Sequence, residues 1–111
     1  MKSIPLLLLL AVAGAQAAPG CGRVLATARG EQVAVAGELA GRRVEGKARL
    51  HFHSAPDAAC RLRDVFVVPG DALQALNEYG IYTEVQFVHP RTGRITQGWV
   101  ESGRLAAGRQ H

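Results

Sequence analysis

The chain is short of almost everything that marks a catalytic or nucleic-acid-binding protein. Its 111 residues hold two cysteines, two tyrosines, one tryptophan and one methionine, and aromatic side chains make up 5% of it. The His51/His53 pair has no third ligand at a recognisable spacing, so neither a metal nor a cofactor is expected. No block of like charges is present. Arg42-Arg43, Arg61, Arg63, Arg91 and Arg94 each stand beside apolar or acidic neighbours, and no exposed aromatics are interleaved with them. Nucleic acid is therefore a poor candidate partner, whereas a mildly basic surface still suits anionic envelope polymers. After Val12 no further apolar run approaches the ~20 residues that a spanning helix needs.

The first residues carry an address. Lys2, the apolar run Ile4 to Val12 and the small-x-small pattern Ala15-Gln16-Ala17 predict a signal peptide over residues 1–17, cleaved after Ala17. The mature protein is then periplasmic or secreted, with no stable membrane insertion. A rival reading anchors it as a lipoprotein through Cys21, but Ala18-Pro19-Gly20 lacks the large aliphatic residue such signals place three positions before the cysteine. Cleavage leaves 94 of the 111 residues, enough for one domain, and removal of Lys2 lowers the formal charge of +4 by one. An oxidising compartment lets the even pair Cys21 and Cys60 persist as a disulfide, which closes a loop worth ~4 kcal/mol in the chain-entropy model. Lipidation and disulfide bonding of Cys21 stay open as alternatives.

Residues 18–47 read as an extended β segment, because Val33 and Val35 alternate with small residues and Gly30, Gly37, Gly41 and Gly46 interrupt the windows in which alanine-rich chain would form a helix. Two or three short strands are expected, either paired with the rest or set apart as a hairpin flap. Residues 48–111 read more clearly. Asp64-Val65-Phe66-Val67-Val68 is a buried strand stopped by Pro69-Gly70-Asp71, where the Asp71 carboxylate is expected to cap the turn. Leu73 and Ala75 point inward on the next strand, which turns at Asn77-Glu78-Tyr79-Gly80. Thr83 to Val88 then pairs through the Pro90-Arg91-Thr92-Gly93 turn with Arg94 to Val100. The fold class is all-β: a small barrel with an N-terminal β extension.

No catalytic constellation stands out. Asp57, Asp64, Asp71, Glu84 and Glu101 all suit turn or strand-surface positions, and a disulfide would silence Cys60 as a nucleophile for a His51 or His53 base. In an alternating strand those two histidines share a face, opposite Leu50 and Phe52, which places them on the solvent side. Phe52 and Phe87 are core candidates. Trp99 is balanced between core and groove floor, and Tyr79 and Tyr82 are the surface aromatics.

The run Ala48-Arg49-Leu50-His51-Phe52-His53-Ser54-Ala55-Pro56-Asp57, the Phe66 strand with Pro69-Gly70-Asp71, and Gly98-Trp99-Val100 followed by Arg104-Leu105 together resemble bacterial SH3-like domains over about the last 60 residues. The likeness implies a small SH3-like barrel that binds rather than catalyses, many of its relatives being targeting modules for peptidoglycan. This chain departs from the pattern in its cysteine-bearing extension and in having Ile81 or Tyr82 where such domains commonly place a tryptophan. The expectation is an exported, non-catalytic and monomeric module of the cell envelope. It would recognise a protein partner or a peptidoglycan peptide through Tyr79, Tyr82, Trp99, Arg91 and Arg94, the arginine forks suiting stem-peptide carboxylates. The alternative is a periplasmic inhibitor or immunity protein that blocks a toxin or cell-wall hydrolase.

Overall fold

The computed structural model describes residues 20–108. The expected signal peptide, its cleavage after Ala17 and the end Arg109-Gln110-His111 lie outside the described residues. Helix α1 (Cys21–Glu31) is followed by β1 (Val33–Ala34), β2 (Gly41–Val44), β3 (Leu50–His53), β4 (Arg61–Val67), β5 (Ala72–Tyr79), β6 (Tyr82–Val88), β7 (Ile95–Glu101) and β8 (Leu105–Ala107). Single 3-10 turns lie at Gly37–Leu39, Ala58–Cys60 and Ser102–Arg104. The strands form one antiparallel sheet in the order β4-β3-β7-β6-β5-β2-β8, with β1 laid on the end of β5, and the sheet curls into a half-barrel.

Turn chemistry sets these reversals. The Asp71 carboxylate accepts from the Val68 N–H at 2.9 Å and Asp57 accepts from Ala59 N–H at 2.8 Å, so both acids cap turns as their sequence neighbours suggest. The β6–β7 hairpin closes through Pro90–Gly93 with Gly93 at φ 77°. The β5–β6 turn falls two residues later than expected, since Asn77 and Glu78 stay paired with Glu84 and Thr83 and the reversal is made by Gly80, at φ 61°, with Ile81.

Inside the curl, Val44, Leu50, Phe52, Val67, Leu73, Val85 and Val100 form the core, with Leu62, Val65, Phe87 and Leu105 packed at its margin. Full burial of such side chains stabilises by about 1.5–3 kcal/mol each. Gly98 is what allows β3 to lie against β7, because a Cβ there would stand 2.9 Å from Phe52 Cδ2 and 3.2 Å from the His53 carbonyl oxygen.

Residues 18–47 correct the sequence reading in part. β1 and β2 are short strands, and both pair with β5, so the segment belongs to the main sheet and is no separate flap. Residues 21–31, however, are helical. Gly22 and Gly30 fall in the first and last turns, where a glycine costs less than in a helix interior, and the interior from Arg23 to Arg29 has none. The Gly20 N-cap makes no side-chain hydrogen bond. Partners distant in sequence hold the helix instead. Cys21 is disulfide-bonded to Cys60, 39 residues away, and Ala28 is completely buried against Tyr82 and Trp99.

Candidate functional site

The helix covers the outer face of β6 and β7, and that cover decides what is exposed. Under it Tyr82 is 6% and Trp99 1% accessible, with Leu25 and the half-buried Tyr79 packed beside them. Tyr82 is thus no surface aromatic, and Trp99 is core. Arg91 and Arg94 are exposed in the β6–β7 turn, at the far end of a ladder that starts with Tyr82 opposite Glu101 and finishes with Val88 opposite Ile95. At ~3.3 Å per residue the two ends are ~20 Å apart. The five residues expected to line one ligand site therefore do not converge.

Beneath the same helix lies a carboxylate that the strand pattern assigns to solvent. Glu84 is 2% exposed. The Arg29 guanidinium grips it at 2.7 and 2.8 Å, while Asn77 and Gln97 donate to it at 2.9 and 3.2 Å. Its pKa lies below the ordinary carboxylate value, chiefly through the Arg29 hydrogen bonds, which outweigh the opposing effect of burial. The guanidinium also sits 5.7 Å from the centre of the Trp99 ring. The buried carboxylate has donors on both oxygens from within the chain, which marks the cluster as the clasp that seats α1 and not as a site.

A concave site with ionisable side chains lies elsewhere, at the β3 end of the sheet. This groove of about 230 Å³ is lined by Arg49, Leu50, His51, His53, Ala58, Arg61, Glu101 and Arg104, whereas a second of about 240 Å³, lined by Ala72, Leu73, Gln74, Gln86 and Val88, has no charged side chain. β3 contributes both histidines. His51 is half-buried with Nδ1 3.1 Å from the Leu62 carbonyl, and His53 is 5% exposed with Nδ1 3.1 Å from the Trp99 carbonyl. Leu50 and Phe52 take the opposite, core side as their alternation requires, but His53 is not on the solvent side; Tyr82 covers it edge-on at 5.1 Å.

A carbonyl only accepts, so in each ring Nδ1 carries the hydrogen and Nε2 of the neutral ring keeps a free lone pair. Neither Nε2 has a hydrogen-bond partner among the described residues. Arg61 pairs with His53 across the β3–β4 ladder, and its guanidinium likewise has no hydrogen-bond partner among the described residues. Arg104 is occupied, donating to the carbonyls of Glu45, Ala48 and Arg49, while Arg49 stacks one face on Phe66 at 4.2 Å and its N–H donors have no partner among the described residues.

No family model matches the chain, and no curated protein or solved structure matches it either. The site is read from its own residues. A His-x-His pair following Arg49, with Arg61 directly after a bonded cysteine, was the signal available in the sequence. Alternation alone does not reveal that Tyr82 roofs the His53 ring. The thiol reading of Cys60 is removed by its disulfide, which instead fixes the 58–60 turn along one rim of the groove.

Proposed function

We propose that this protein is an exported, non-catalytic SH3-like binding module of the cell envelope, and that it holds its partner at the β3 groove. The disulfide is compatible with an extracellular or periplasmic setting, and no helix among the described residues is long and apolar enough to cross a membrane. The observation that carries the reading is the contrast between two polar clusters. Both Glu84 carboxylate oxygens are filled by donors from Arg29, Asn77 and Gln97, whereas at the groove the buried His53 and the adjacent Arg61 have polar atoms with no partner among the described residues.

Retention of the oxidised protein from an envelope extract and on purified peptidoglycan sacculi, at physiological salt so that loose charge attraction is screened, tests the reading. Retention that Arg61→Ala abolishes supports it. Capture of one discrete hydrolase or toxin, with nothing on sacculi, makes the module an inhibitor. No retention by either preparation overturns it.

A further inference from the structure

The groove's charge and hydrogen-bonding groups narrow what it can take. Three guanidinium groups, from Arg49, Arg61 and Arg104, stand around it against one carboxylate, Glu101. Arg104 is committed to backbone carbonyls, whereas the N–H edges of Arg61 and of Arg49, which stacks only its face on Phe66, have no partner among the described residues; a fork of that shape matches a carboxylate through two parallel N–H···O bonds. Beside Arg61, His51 and His53 line the groove. The volume of about 230 Å³ holds a terminal group and not a whole ligand.

Resting on the binding-module reading above, the geometry points to a peptide-carboxylate site in which Arg61 anchors the anion beside His51 and His53.

The groups that bear on the two rings come from several elements. Arg61 on β4 faces His53, and Tyr82 on β6 lies edge-on to it. Glu101 on β7 and Asp57 in the 54–60 loop act on that tyrosine, whose pKa burial raises. Phe66 on β4 packs at 5.6 Å from His51, and Arg49 and Arg104 line the same groove.

The test uses acetyl-alanyl-alanine and its C-terminal amide as probes, titrated into the oxidised protein and followed by backbone and histidine-ring NMR shifts. The acid is expected to perturb His51, His53 and Arg61, and the amide is not. Arg61→Ala should cost about tenfold or more in affinity for the acid. Glu101→Gln should tighten it, a gain that damage to the fold would not produce.

Equal binding of acid and amide, undiminished binding by Arg61→Ala, or no binding of either probe overturns the carboxylate site. Retention on sacculi that survives Arg61→Ala would leave a binding module standing while removing this groove from it, so the two failures are distinguishable.

Discussion

Replacing Arg29 with alanine strands the Glu84 carboxylate beneath the helix. Removing one partner from a fully buried ion pair costs about 3–5 kcal/mol, because the other charge is left desolvated. Here the Arg29 side chain is 42% exposed, so water reaches the vacated position, and Asn77 and Gln97 continue to donate. About 2 kcal/mol is the expected loss at neutral pH, or ~30-fold in the folding equilibrium. Glu84→Gln removes the charge from the buried side and leaves Arg29 free to solvate, and it should cost only about 1 kcal/mol.

The pH dependence follows from the same pair. Glu84 titrates in the folded protein below its ordinary value of 4.5. Its contribution is therefore whole above that value and disappears as pH falls through the lower, folded one. Once Glu84 is protonated, Arg29 has little left to hold. Urea unfolding of wild type, Arg29→Ala and Glu84→Gln, with the disulfide intact, should show the Arg29→Ala penalty shrinking as acid is added. A penalty that is the same at neutral and acid pH, or equal costs for the two variants at neutral pH, would refute the clasp.

Three further expectations concern the frame around the site. Reduction of Cys21–Cys60 should lower stability by ~4 kcal/mol and release α1, seen as lost helical ellipticity with a red-shifted Trp99 fluorescence on adding reductant. Gly98→Ala drives a methyl group against Phe52 and the His53 carbonyl, and a loss of about 1–3 kcal/mol in denaturant unfolding is expected. Gly46 holds φ at 98° with its absent Cβ 2.7 Å from Arg104 Nε, so Gly46→Ala should cost about 1–3 kcal/mol in thermal unfolding and loosen the Arg104 contacts to residues 45–49.

What the sequence made legible was local. Turns at Asp57, Asp71, Gly80 and Gly93 need only a few neighbouring residues to form, and the alternations Leu50/Phe52 and Leu73/Ala75 identify the inward face of their strands. Helix α1 was not legible because its anchors, Cys60, Glu84 and Trp99, are remote in the chain and its own propensity is poor. The same gap hid Glu84 and His53. Period-two alternation says which residues share a face but not whether another element covers that face, and α1 and Tyr82 supply those covers. The candidate ligand residues followed the aromatics for want of that knowledge, and two of them turned out to be the helix's seat.

The strand order has a consequence for how the protein behaves in company. β4 and β8 end the path of paired strands, and an open edge that is long and apolar invites another chain to add itself. β8 spans only three residues, Leu105–Ala107, and offers little length to copy. β4 is longer, but Arg61, Arg63 and Asp64 stand exposed along it, and its register against β3 breaks between His51 and His53. A second copy aligning there would meet like charge and a kinked template. Both margins of the sheet thus disfavour edge-to-edge pairing, and the irregularity that does so on β4 lies beside Arg61, a residue that lines the groove.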